Sequence, residues 1–188
     1  MNRETHKSAE SPLTLWTLGH STRSFEEFLA LLESENIEAV ADVRRFPGSR
    51  MHPQFNAETL AAHLREHKIE YTWFQELGGR RKPNPDSKNT AWRNPSFRAY
   101  ADYMDTPEFH EGLERLLAIA CERRTAIMCS EAVWWRCHRS MISDALKADG
   151  IRVLHILQAG KVVEHPYTAV AKILDGRVEY GAAQQNLF

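Results

Sequence analysis

Five short, mostly apolar runs separated by amphipathic stretches leave few ways for this chain to fold. They are Leu13–Gly19 (LTLWTLG), Ile37–Val43 (IEAVADV), Ile69–Phe74 (IEYTWF), Thr125–Ser130 (TAIMCS) and Arg152–Leu157 (RVLHIL). Each has the length of a strand, and the first two read as strands buried on both faces. Between them the spacing turns helical. Ser24 and Glu27 form a capping-box pair, with Phe25, Phe28, Leu29 and Leu32 on one helical face. Asn56 is placed to cap a helix carrying Leu60 and Leu64. Helices follow over Ser96–Met104 and from Thr106-Pro107, the second burying Phe109, Leu113, Leu116, Leu117 and Ala120. The last spans Arg136–Ala148. Alternation of this kind predicts an α/β fold: a single domain with a mostly parallel sheet of about five strands and helices on both faces.

A chain of 188 residues is the size of one such domain. Residues 1–12 read as a disordered lead-in, 13–180 as the domain and 181–188 as a flexible tail. With 43% hydrophobic residues there is material for a core. The 24 Lys+Arg against 25 Asp+Glu exclude a polycationic tail protein, but not a nucleic-acid binder, which depends on where the charges sit. No apolar run approaches the ~20 residues of a membrane span, so no membrane partner is expected. The first residues lack the apolar stretch of a secretory signal. Three cysteines do not make a disulfide framework, and a cytoplasmic location is expected.

In open parallel sheets, ligands bind beyond the carboxyl ends of the strands. Those ends carry Gly19-His20-Ser21, Asp42-Val43-Arg44-Arg45, Gln75-Glu76 with Gly78-Gly79, and Cys129-Ser130-Glu131. A long polar segment, Gln75–Pro95, also starts there, and loops of that length in a compact domain are usually functional or disordered. Charge is segregated. Residues 44–56 hold three arginines and no acid, and 76–98 hold six Lys+Arg against Glu76 and Asp86, while 24–38 hold five glutamates and no base. Arg44, Arg45, Arg50, Arg80, Arg136 and Arg139 are therefore candidate ligands for phosphate or carboxylate oxygens, the alternative being a solvated basic rim. Ser21, Gly78 and Gly79, at the same strand ends, are further candidate substrate-binding residues, and Trp134 would stack on a base unless it simply packs.

Glu131 follows a strand end among arginines and indoles, where a carboxylate can act as acid, base or nucleophile, or else merely order the arginines. His20, His138, Cys137 and Asp42 complete the candidate catalytic set, with Asp42 placed to hold Arg44 or His20. Cys137, expected in the first helical turn beside Arg136, His138 and Arg139, is either an activated thiol or a small core residue sharing a face with Met141 and Ala145. Cys121 reads as core. Six residues separate Cys129 from Arg136, one too many for a phosphatase loop. Zinc on Cys129, Cys137 and His138, with His20 as a fourth ligand, is opposed by a C-x7-C-H spacing that matches no familiar finger and by the awkwardness of adjacent Cys and His ligands. No metal and no cofactor is expected. No GxGxxG, P-loop or HExxH is present.

The chain ends in QQNLF, which resembles the short peptide by which bacterial replication and repair proteins dock on the DNA sliding clamp. Gln184, Leu187 and Phe188 are the residues that would bind, by apolar side chains in a pocket and glutamine hydrogen bonds, unless Leu187 and Phe188 pack back on the body. The blocks TLGHS, DVRRFPGSR, LGGRR, YADYM, CSEAVWWRCHR and VLHI, in order from Leu13 to Ile156, resemble domain-of-unknown-function family 488. That resemblance implies a compact bacterial α/β protein. It also implies motif positions at His20, Ser21, Asp42, Arg44, Pro47, Arg50, Gly78, Gly79, Cys129, Glu131, Cys137, His138 and Arg139, but no reaction. The expected function is an enzyme acting on a phosphate-bearing nucleotide or nucleic-acid substrate, cleaving a glycosidic or phosphoester bond in DNA repair or modification. The alternatives are a non-catalytic DNA-associated module and a thiol or metal protein using Cys129 and Cys137.

Overall fold

The computed structural model describes residues 12–181. The predicted lead-in and the Gln184, Leu187 and Phe188 peptide lie outside the described residues. The parallel strands are β1 (Thr14–Gly19), β2 (Ala39–Asp42), β3 (Glu70–Trp73), β4 (Thr125–Cys129) and β5 (Arg152–Gln158). They join an antiparallel edge strand, β6 (Lys161–Glu164), in the order β3-β2-β4-β1-β5-β6. Five helices link them: α1 (Phe25–Ser34), α2 (Ala57–Glu66), α3 (Pro95–Met104), α4 (Pro107–Glu122) and α5 (Arg139–Ala148).

Because strand side chains alternate, the sheet feeds two cores. Trp16 and Leu18 of β1 face the same side as Ala126 and Met128 of β4. There they meet Phe28 and Leu32 of α1 and Leu60 and Leu64 of α2. Leu15, Ile127, Cys129 and Val153 face the other side and pack on Tyr100, Phe109, Leu113, Leu116, Met141 and Ile142 of α3, α4 and α5. Each fully buried Leu or Phe contributes about 1.5–3 kcal/mol, so either core matters more than the helix caps. The cap of α1 is still complete. Ser24 accepts from the Glu27 amide and Glu27 accepts from the Ser24 amide.

The connections set where a ligand can sit. From β1 the chain leaves through α1 toward β2, while from neighbouring β4 it leaves through α5 on the opposite face toward β5. Adjacent strands whose connections diverge open a crevice at their carboxyl ends.

Several local expectations differ from the structure. Asn56 precedes α2, but its Oδ1 accepts from the Ser49 amide (2.6 Å) instead of capping the helix. Helix α5 begins at Arg139, not Arg136, because the chain is extended at Cys137 (φ −132°, ψ 146°) after a single 3-10 turn at Trp134–Arg136. Cys121 is exposed and Leu117 only partly buried, each on the edge of the apolar stripe of α4. Beyond β6, the chain adds a hairpin of β7 (Lys172–Leu174) and β8 (Arg177–Glu179). Its turn, Asp175-Gly176, has both residues at positive φ (50° and 77°). Asp-Gly is the residue pair such a turn favours.

Candidate active site

The crevice between β1 and β4 opens into a cavity of about 670 Å³. His20 and Ser21 follow β1; Cys129, Ser130 and Glu131 follow β4; Arg44, Arg45 and Phe46 follow β2. The long loop after β3 contributes Gly79, Arg80 and Asn94, and the segment before α5 contributes Arg136, Cys137 and His138. Ser21 (φ 51°) and Arg80 (φ 58°) are both held in the left-handed region, which costs a non-glycine residue energy and is concentrated where geometry serves a ligand.

The end of β2 is locked from beneath. Asp42, fully buried, accepts from Arg44 Nε at 2.9 Å, from Nη2 at 2.5 Å and from the Arg44 amide at 3.0 Å. It also accepts from the Tyr71 hydroxyl at 2.6 Å. Burial works against the Arg44 charge, but the pairing with Asp42 outweighs it and the guanidinium is held above its ordinary value. Arg44 is thus a neutralised, fixed arginine with only Nη1 turned outward, 3.4 Å from His20 Nε2. His20 stacks on Phe55 (4.2 Å, 19°). Its Nδ1 lies 2.9 Å from the Ser21 carbonyl, which must accept a proton, so Nε2 carries the lone pair. Desolvation, then the Arg44 charge, lowers the His20 pKa to about 4, which keeps this imidazole neutral at physiological pH.

The second constellation joins β4 to the approach of α5. Cys129 Sγ, Cys137 Sγ and a His138 ring nitrogen all lie within 4.8 Å of one another. His138 Nε2 is 3.0 Å from the Val43 carbonyl and must donate there, so the lone pair of Nδ1 faces Cys137 Sγ at 3.6 Å. A hydrogen bond from Cys137 is the main cause that lowers the Cys129 thiol well below its ordinary value, while burial pushes Cys137 up. Cys137 is also a core residue, 4% exposed and in the cluster with Met141.

Two glycines permit this closeness. A Cβ on Gly19 would fall 1.7 Å from the Glu131 carbonyl oxygen, and one on Gly79 would fall 2.8 Å from His138 Nδ1.

The structure brings Glu131, His20, His138 and Cys137 to the cavity, together with Ser21, Arg44, Arg45, Gly79, Arg80 and Arg136. It does not bring the other candidates to its wall. Asp42 sits behind Arg44. Gly78 is buried against the backbone of Arg45. Arg50 is exposed outside the lining. Arg139 is 1% exposed and donates to the carbonyls of Leu18, Glu131 and Ala132, tying β1 to the loop after β4. Trp134 stacks on His155 (4.5 Å, 7°) rather than facing the cavity. Phe46, 67% exposed, is the most exposed of the aromatic residues lining the cavity, which also include Phe97 and Tyr100.

Sequence reasoning missed His52, Asn94, Ser96 and Tyr100 in the lining, and Tyr71 beneath it. His52 lies in the basic window and Tyr100 in the YADYM block, so both had a signal; Tyr71 had none.

Among the described residues four arginines border the cavity against one carboxylate, Glu131, and one of the four is already paired with Asp42. Among the described residues no helix is long and apolar enough to cross a membrane. Comparison with curated proteins and with solved structures found no match to this chain. A family model described as "Domain of unknown function DUF488" matches residues 24–146, about two thirds of the chain. The match leaves out β1 and His20 but takes in β2, the loop after β3, and β4 through Arg139, which is most of the cavity's wall, and this chain belongs to the DUF488 family.

Proposed function

We propose that this protein is an enzyme acting on a phosphate-bearing nucleotide or nucleic-acid substrate, cleaving a glycosidic or phosphoester bond. The observation that carries this reading is the charge of the cavity: Arg45, Arg80 and Arg136 border it without the carboxylate that neutralises Arg44. Guanidinium forks suit phosphate oxygens, and about 670 Å³ is in the range of small-molecule sites. The N-terminal end of α5 adds its partial positive charge at His138. Phe46 offers a face for a base, in place of Trp134. Among the described residues Glu131 is the one carboxylate at the cavity, and it would handle the proton or attack the substrate. His20, neutral and held by Ser21, would fix the outward Nη1 of Arg44 at the cavity through its Nε2. The Gln184–Phe188 peptide would dock the enzyme on a DNA sliding clamp, so a chain lacking it should lose clamp binding and keep its substrate.

Thermal unfolding with nucleotides, short DNA and inorganic phosphate tests this. A ligand at a hundred times its Kd adds about 2.7 kcal/mol, which is roughly 5–10 °C in Tm for a chain of this size. Glu131→Gln should keep that shift and lose turnover of whichever ligand gives it. A shift with steep salt dependence but no turnover in the wild type would mean a binding module. No shift with any phosphate ligand would sink the reading.

A further inference from the structure

We propose that Cys129, Cys137 and His138 bind one divalent ion of the zinc class, with its remaining coordination position open to the cavity. The proposal stands apart from the nucleotide reading, because the ion can be detected with no substrate present.

The distances fit. Tetrahedral zinc with Zn–S near 2.3 Å and Zn–N near 2.05 Å places sulfur and nitrogen about 3.6 Å apart and two sulfurs about 3.8 Å apart. Cys137 Sγ and His138 Nδ1 are 3.6 Å apart, and no pair in the cluster exceeds 4.8 Å. The adjacency of Cys137 and His138 is resolved by the backbone. The chain is extended at Cys137 and helical at His138 (φ −56°, ψ −19°), so two neighbouring side chains converge where in a continuous strand they would diverge.

The surroundings also fit. A metal-bound histidine usually donates its other ring N–H to a fixed acceptor, which orients the ring and sets the tautomer. His138 does this to the Val43 carbonyl at 3.0 Å, leaving Nδ1 turned to the sulfurs. Gly79 keeps the space at Nδ1 clear, since any side chain there would press on the ring at 2.8 Å. Both sulfurs are about nine-tenths buried or more, yet both line the cavity, as does His138.

His20 is not part of the group. Its Nδ1 is engaged by the Ser21 carbonyl and its Nε2 faces Arg44. Among the described residues the cluster therefore supplies three ligands, the number found in zinc sites that keep a place for water or substrate. Glu131, two residues beyond Cys129, lines the same cavity and would take the proton of a bound water.

The test uses the full chain, reduced, stripped with chelator and kept anaerobic, then titrated with Co²⁺. The expected result is a thiolate-to-cobalt charge-transfer band with tetrahedral visible bands, saturating at a single ion per chain and displaced by Zn²⁺. Cys129→Ser and Cys137→Ser should each lose the bands, while Cys121→Ser, at an exposed position, should keep them. Should the buried substitutions prevent folding, the wild type still decides: zinc at a hundred times its Kd should raise Tm by roughly 5–10 °C. Absence of both bands and shift would overturn the proposal. So would bands that survive in both serine variants. A protein that loses two hydrogens to a Cys129–Cys137 disulfide in air, and shows no cobalt bands once reduced, would make the pair a redox couple instead.

Discussion

Two groups of histidines sit on this sheet, one at the cavity and one beneath α5. In the second, Thr17 Oγ1 lies 2.7 Å from His155 Nδ1, His155 Nε2 lies 2.8 Å from His165 Nδ1, and His165 Nε2 lies 2.9 Å from Asp144. Asp144 also accepts from Thr168 and from the Tyr180 hydroxyl. One proton arrangement satisfies every ring nitrogen: each ring donates toward Asp144, and Thr17 donates into the last lone pair. Thr17, Asp144, His155 and His165 are all fully buried. At the cavity, by contrast, His138 Nδ1 and the two sulfurs face one another with more acceptor capacity than protons, and Arg45, Arg80 and Arg136 border open space. Residue type does not distinguish the two groups. Satisfied valence does: a closed polar network ties strands to helices, and an unsatisfied one on a cavity is available to a ligand.

The comparison is broken most severely at Asp144. Removing a buried carboxylate on which several donors converge costs about 3–5 kcal/mol. Asp144→Ala should therefore lower Tm by roughly 6–20 °C in thermal unfolding. A loss under about 1 kcal/mol would mean the closed network does not hold the fold. At the cavity, Gly79→Ala forces a methyl group onto His138 and should cost about 1–3 kcal/mol, the usual range for overpacking. Unfolding with urea would read this, and an unchanged midpoint would show that the loop yields without strain.

Acid should act on the buried histidines. Burial, then His165 and Arg139, push His155 down to about 2 from 6.5, and His20 lies near 4. A histidine held neutral in the fold contributes stability that is complete above pH 6.5 and lost as pH falls toward its folded value. Below pH 6.5 each should cost about 1.4 kcal/mol per pH unit, His20 down to about pH 4 and His155 further. His155, which faces Thr17, His165, Trp134 and Arg139 with Asp144 one bond beyond, carries the deeper share. His155→Gln should therefore flatten the acid limb of a stability-against-pH curve, and an unchanged slope would remove His155 as its source. The smallest effect belongs to Arg45→Ala and Arg80→Ala, which should move stability by less than about 0.5 kcal/mol. A larger loss would make those arginines structural rather than available to a ligand.

Much of the architecture was legible because hydrophobic periodicity is local. Runs such as TAIMC and LTLWTLG, short, apolar and flanked by helical patterns, read as strands covered on both sides, and the Ser24–Glu27 cap is written in four residues. β6 was missed because all four of its residues are exposed, and an edge strand with no buried face carries no apolar pattern. β7 and β8 carried a signal in Asp175-Gly176, but three-residue strands are too short for periodicity to register.

Strand ends likewise follow from chain order, so about half of the residues that line the cavity, His20, Arg44, Glu131, Cys137 and His138 among them, were legible in the sequence. Partnership does not follow from chain order. The pairing of Asp42 with Arg44, two residues on, was within reach of the sequence. That Arg139 is consumed by three carbonyls and that Trp134 turns to His155 depends on contacts between residues up to 121 and 21 positions apart. Charge and chemical type are properties of a residue. Whether that charge is matched, and whether a lone pair meets a proton or open space, is a property of the packed fold, because it depends on which distant groups the core brings within about 3 Å.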